Sequence, residues 1–421
     1  MLTRNTVGWT LAGAASLAFA CTLFAGCKGG EVSGEPPEGG SGSSSGGAST
    51  SSSGVTTSSS GTGSSSGVTT SSSSSGGAGD SCQNPAVQCV VPPSPPGGGS
   101  PTAAAHNYAI RTLYLGDTDR TGIVSADAWK EYGYNLDDKV TTKASTDVCT
   151  LAPGASKTTQ VDGNGGIDNS FGENILPILI TIAGSDFGGR INASIQAGQS
   201  TLMTYVTGFD DSPGNATSAS GLGGVFLYGG TYPGTPAWDT ATHWPILPTA
   251  INGCTPTAGC PAGTDPVKNA QIRFPTAYQA AGTFVSGALL DVDLSFGSAS
   301  LLDLPIHSAM ISFSPKVPGA VTNGTVAGVM VTSEYIAALQ AEAGQISTSL
   351  CSGSAFQSIA QQIEQASDIV YGPNSGLVSN EAGTQCNAIS IGLGFEATEI
   401  AAPTASDITG PQPAPLDPCA D

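Results

Sequence analysis

The stretch Leu290-Asp291-Val292-Asp293-Leu294-Ser295-Phe296 decides the fold class, because apolar and polar residues alternate in it without a break. A strand sends successive side chains to opposite faces. A period of two therefore puts Leu290, Val292, Leu294 and Phe296 on one face, and the two aspartates with Ser295 on the other. Segment 389–395 repeats the pattern with Ile389, Ile391, Leu393 and Phe395, and segment 306–313 follows it less cleanly. Segments 108–115, 201–207, 224–231 and 324–331 are further strand candidates, punctuated by Gly and Pro. Many short strands with such turns predict a mainly β fold, a sandwich or jelly roll.

Helices are expected inside this β frame. Tyr335, Ala338 and Leu339 share a helical face in 333–342, and Phe356, Ile359, Ile363 and Ala366 share one in 355–369. A third runs over 176–182, where Pro177 suits a first turn. The class is thus mainly β with inserted α-helices, or α+β as the alternative. Trp129 and Tyr132 are at helical spacing and are expected in the core.

Outward from the folded part, composition changes sharply. Residues 27–103 are rich in Ser, Gly and Pro, and the block SSSGVTTSSS occurs at 51–60 and again at 64–73. Such a segment has little apolar surface to offset ordering entropy, so a flexible tether is predicted, about 50 Å in mean span. A single folded domain is expected from 104 to 421. Net charge is −20, and ten acidic residues but no Lys or Arg follow Lys316. That balance repels phosphate backbones and argues against nucleic acid as a partner.

The first 26 residues carry one cation, Arg4, then an apolar run from Val7 that ends in Ala25-Gly26-Cys27. Small residues directly before a cysteine resemble the lipobox of bacterial lipoprotein signal peptides. The resemblance implies cleavage before Cys27, diacylglyceryl and acyl chains on that cysteine, and, with Lys28 following it, an outer-membrane address. Several acyl chains make a lasting membrane anchor. Removal of Cys21 with the signal and lipidation of Cys27 leave eight cysteines, an even number that suits disulfides in an exported chain. The local pairs Cys82 with Cys89 and Cys254 with Cys260 are expected. Cys351 lies between the expected helices 333–342 and 355–369 as a staple.

Two clusters are candidates for binding. Asp162, Asn164, Asp168, Ser170 and Glu173 place oxygens at positions 1, 3, 7, 9 and 12 of a loop that resembles the EF-hand calcium loop, although Ile167 and Asn169 depart from its pattern. Hard Ca²⁺ takes six to eight oxygens; the competing reading is an Asx- and Gly-rich turn that caps a helix. A partial match at Asp117-Thr118-Asp119 reads as a polar loop, and the pairs Asp137-Asp138 and Asp210-Asp211 as solvated turns. The second cluster is aromatic. Tyr228, Tyr232, Trp238 and Trp244, with Phe226, Asp239 and His243 nearby, offer flat rings on which a sugar face would stack; the alternative is that the two tryptophans are core.

Catalytic patterns are weak. G-x-S-x-G occurs only in the tether, at 42–46 and 63–67. His243 with Asp239 would make a base and its orienter, and Asp291 with Asp293 a carboxylate pair; His307 is expected to be structural. The expected function is therefore a non-enzymatic envelope lipoprotein that presents a binding or adhesion domain for polysaccharide. The alternatives are a surface hydrolase of glycans or esters, and a structural or assembly lipoprotein with an envelope protein as partner.

Overall fold

The computed structural model describes residues 80–82, 84, 87–296, 302–346 and 353–410. The expected signal segment, Cys27, the tether up to residue 79, Cys351 and Cys419 lie outside them. The chain is mainly β with inserted helices. In chain order the strands are β1 (Asp80–Ser81), β2 (Ala105–Tyr114), β3 (Lys139–Val140), β4 (Thr201–Thr207), β5 (Ala219–Gly229), β6 (Ile272–Arg273), β7 (Ala277–Ala280), β8 (Thr283–Val285), β9 (Leu290–Phe296), β10 (Leu302–Val317), β11 (Ala320–Val331), β12 (Val370–Gly372), β13 (Leu377–Ser379) and β14 (Ala388–Glu399). The helices are α1 (Leu176–Ala183), α2 (Phe187–Gln196), α3 (Thr332–Ile346) and α4 (Ser354–Gln365).

Hydrogen bonding runs β11–β14–β2–β4–β5–β7–β8–β10, and β10 pairs back onto β11. All these pairings are antiparallel. The path therefore closes into a ring of one sheet, where a sandwich would have two facing sheets, and closure removes exposed edges along it. Closure depends on β10, the longest strand. Its first half pairs with β9, and further on Ser312 and Phe313 pair with Val285 and Phe284 of β8. The change of partner coincides with register shifts around Ser308, whose φ of 50° marks a bulge.

The strand patterns explain the core. β9 alternates as read, with its four apolar residues buried and Asp291 and Asp293 exposed. β14 is buried on both faces instead. Its second face carries Ser390, Gly392 and Gly394, because the Tyr132–Gly133 backbone lies against it; a Cβ on Gly392 would come within 2.1 Å of the Tyr132 carbonyl oxygen. Phe209, Phe284 and Phe313 fill the interior without exposure. The Phe284 and Phe313 rings stack at 4.7 Å. Each buried ring stabilises the fold by about 1.5–3 kcal/mol.

Helix α2 fills a gap in the ring. β2 pairs with β4 only over Ala105 to Ala109. Beyond that point Asn192 of α2 accepts the Leu113 N–H at 2.7 Å and donates to the Leu113 carbonyl at 2.8 Å. Phe187, Ile191 and Ile195 turn to the core. The expected boundary at residue 104 is corrected. Strand β1 pairs with β3, Val90 bonds Gly165 and Asn135, and Tyr278 donates to the Pro93 carbonyl at 2.6 Å, so the domain already includes residue 80. Disulfides join Cys82 to Cys89 and Cys254 to Cys260, as expected, and Cys149 to Cys386.

Candidate functional site

Loop 162–168 folds back on segment 134–141. The Gly163 N–H reaches the Ile167 carbonyl at 2.8 Å, while Asp162 and Asp168 donate backbone N–H groups to Thr141 and Tyr134. Gly165 and Gly166, at φ 62° and 74°, make the turn. A Cβ on Gly166 would sit 2.3 Å from the Asn135 amide nitrogen, so glycine is required by space as well as by conformation.

This turn brings acids together in the interior. Asp162 Oδ2 accepts the Thr141 N–H at 2.5 Å, Asp168 Oδ2 accepts the Leu136 N–H at 2.6 Å, and Asp137 Oδ1 accepts the Lys139 N–H at 2.9 Å. Burial raises all three acid pKa values, and the neighbouring carboxylates add to the rise; Asp162 is pushed up to about 8. Asp368 lies behind them, raised by burial to about 7, with its oxygens on the Ser390 N–H and hydroxyl. The Lys139 charge offsets Asp137 only in part, because its ammonium donates to the Asp147 and Asn380 carbonyls and pairs with Asp147.

Three buried oxygens beside these acids meet no partner at full hydrogen-bond geometry: Asn135 Oδ1, Thr141 Oγ1 and Asp137 Oδ2, although the Asn380 side chain lies close to the Asp137 carboxyl. Asn135 is 6% and Thr141 2% exposed. Buried polar atoms are normally satisfied, so unpaired acceptors beside carboxyl groups that burial disfavours as anions suit either a proton held between the acids or a bound cation. The donors are all oxygens, the kind a hard cation such as Ca²⁺ takes, but Asp137, Asp162 and Asp168 do not bring their donor atoms within 4.8 Å of one another.

The expected calcium loop is corrected in three positions. Asp162 and Asp168 do converge. Asn164 instead lines a surface groove of about 790 Å³ with Gln88, Val90, Asp138 and Gly165. Ser170 donates its hydroxyl to the Ala366 carbonyl at 2.6 Å. Glu173 lies in a π-helical turn, Phe171–Ile175, beside Asn174. The loop cannot wrap an ion in EF-hand order because Asn169 is a clamp. Its amide donates to the Trp129, Tyr132 and Gly392 carbonyls and its oxygen accepts the Gly172 and Gly392 N–H groups. Sequence spacing does not reach Asp137, Asn135 and Thr141; the Asp137-Asp138 pair is the one local signal, and it has the pattern of a solvated turn. Asp119 does form a polar loop, accepting from Thr121 and Ile123.

The aromatic cluster is core. Trp244 is 2% and Trp238 9% exposed. Their rings lie 5.0 Å apart, Tyr232 packs 5.3 Å from Trp244, and the Trp244 indole N–H donates to the Gly230 carbonyl. Tyr228 is half-buried and accepts the Asp293 N–H. The two tryptophans are thus unavailable as a sugar platform, because their burial against the Gly-rich loop satisfies both ring area and indole donor.

The expected His243–Asp239 pair does not form, while Asp291 and Asp293 share the outer face of β9. His243 faces Asp407 at 3.2 Å, while Asp239 accepts from Thr242 and Ala241 within its own turn. His307 lies between Asp291 at 3.1 Å and Glu334 at 2.7 Å. His106 faces Glu399. Among the described residues no helix is long and apolar enough to cross a membrane. Compared with protein-family models, curated proteins and solved structures, the chain matches none.

Proposed function

We propose that this chain is an exported lipoprotein, anchored in the outer membrane through Cys27, whose barrel domain is a non-enzymatic binding module held together by Ca²⁺. The observation that carries the reading is the set of buried aspartates with orphaned oxygens on Asn135, Asp137 and Thr141. The ion would have to draw Asp137, Asp162 and Asp168 closer together, since their donor atoms do not all lie within 4.8 Å of one another, and the adjoining groove at Asp138, Asn164 and Gly165 would take the ligand. Cation and groove share one loop, so binding there would depend on calcium.

Sugar remains a ligand class to test, now without Trp238 and Trp244 as stacking surfaces. The assembly reading, with a protein partner, draws on Ile123 and Val124, which are adjacent and 65% and 80% exposed. The test uses the full chain in detergent. Calcium should raise its melting temperature saturably, and Asp162→Asn or Asp168→Asn should abolish that response. Pull-down of envelope extract and a glycan screen, each with calcium or with chelator, then identify the ligand. A melting temperature that is indifferent to calcium sinks the cation reading. Recovery of Cys27→Ala chain in the membrane fraction sinks the anchor.

A further inference from the structure

A second donor group shares no residue with the aspartate cluster. His106 stands near the start of β2, Glu399 ends β14, and Asp211 lies in the loop between β4 and β5. The turn between β10 and β11 ties them together. Glu399 donates its N–H to the Gly319 carbonyl at 2.7 Å, and the Gly319 N–H reaches Asp211 Oδ2 at 3.3 Å. Four separate parts of the chain thus converge on one place.

The donor atoms are close. His106 Nδ1 lies 2.9 Å from Glu399 Oε1 and 3.8 Å from Asp211 Oδ2. One nitrogen and two carboxylate oxygens fall within 4.8 Å of one another. Donors bound to a transition ion at about 2.0–2.2 Å are themselves roughly 3–3.5 Å apart, so little movement is needed. The side chains are only 12%, 23% and 20% exposed. Among the described residues, no Lys or Arg pairs with either carboxylate.

Two further atoms lack a full hydrogen bond here. Tyr108 is 1% exposed, and its hydroxyl approaches the Asp211 carboxylate without meeting full hydrogen-bond geometry. Asp211 and Glu399 both lie near it. The ring of His106 stacks on Tyr108 at 5.6 Å, and its Nε2 is also buried and unpartnered. A static ion pair between His106 and Glu399 accounts for neither orphan. A cation with bound water does account for the hydroxyl, which then donates to that water.

We propose that His106, Asp211 and Glu399 form a binding site for a zinc-class divalent transition ion, held through one imidazole nitrogen and two carboxylate oxygens with water in the remaining position. The mixed nitrogen and oxygen set separates it from the all-oxygen aspartate cluster. The site is independent of the calcium reading.

The test is titration of the full chain, stripped with chelator, with zinc and with cobalt(II). One saturable zinc site is expected. Asp211→Asn and Glu399→Gln, which keep side-chain size, should each weaken it roughly tenfold or more. Asp162→Asn should leave it unchanged. Cobalt(II) bound to the unaltered chain should show a visible ligand-field band and shift the His106 ring resonances, a readout that needs no substitution. Absence of that band, zinc affinity that survives both carboxylate substitutions, or binding that follows His307→Ala instead would each overturn the proposal.

Discussion

Two Gly-rich regions of the barrel invite the same reading from sequence, and they fold in opposite ways relative to what their side chains prefer. Around Trp238 and Trp244 the flat rings are buried, the indole N–H of Trp244 finds a carbonyl, and nothing polar is left over. Around Asp162 and Asp168 carboxylates are buried, and the oxygens of Asn135, Asp137 and Thr141 stay unpaired. Burying an aromatic ring follows the hydrophobic effect and needs no other explanation. Burying carboxylates opposes solvation, and persists where a proton or a cation offsets the cost. Residues placed against their own solvation preference are therefore better guides to a site than residues of the expected chemical type.

The largest expected effects compare how each region is pinned. Cys149–Cys386 spans 237 residues and borders the acidic side, where Gln160 donates to the Cys149 carbonyl. Cys254–Cys260 spans six and follows the aromatic region. Loop-closure entropy assigns roughly 5 kcal/mol to the long crosslink and roughly 2 kcal/mol to the short one. Urea unfolding of Cys149→Ser with Cys386→Ser should show the greater loss; equal losses would mean that the two regions are held alike. Next comes Trp244→Ala, which should cost about 3–5 kcal/mol by emptying a buried site, with no change in calcium response. A stable Trp244→Ala chain that has lost ligand binding would restore the ring to a surface role and break the contrast.

Much of the frame was legible. β4 begins and ends where the alternation places it, and β9 buries its predicted face, because period-two patterning survives any tertiary arrangement. Helix α2 was not legible: two glycines and an arginine, Gly188-Gly189-Arg190, hide the four-residue spacing of Phe187, Ile191 and Ile195. The site was half legible. Asp162 and Asp168 stand in one loop, but Asp137 reaches them through a pairing across the fold that no local spacing encodes. Closure of the sheet, carried by two residue pairs between β8 and β10, leaves no mark in the sequence at all.

A smaller effect tests the acidic side through Asp368, which accepts from the Ser390 N–H and hydroxyl and takes no part in holding the ion. Its pKa is raised by burial from 3.8 to about 7. The folded chain therefore holds a proton that the unfolded chain releases. The associated stability is fully present below pH 4 and is lost as pH rises to about 7, at up to about 1.4 kcal/mol per pH unit. Asp368→Asn keeps both contacts with Ser390 and should flatten the stability profile over that window, read by urea unfolding in chelator. An unchanged slope would assign the cost of burial to the other aspartates.

The smallest effect concerns His307, where acids meet a cationic partner at the surface and need no buried offset. Burial lowers its pKa, but the hydrogen bonds from Glu334 and Asp291 outweigh that and the net shift is upward. A raised histidine pKa gives stability that is complete below the ordinary value of 6.5 and fades as pH rises through the folded one. This window begins at 6.5, where that of Asp368 is nearly exhausted, so below 6.5 the slope belongs to Asp368 and above about 7 to His307. Glu334, 2.7 Å away and 52% exposed, should matter more than Asp291, 3.1 Å away and 74% exposed. Ring-proton titration by NMR should therefore show a larger fall in the His307 pKa for Glu334→Gln than for Asp291→Asn. The opposite order would mean that Tyr371, stacked on the ring at 5.1 Å, and not the shorter ion pair, sets which carboxylate the imidazolium holds.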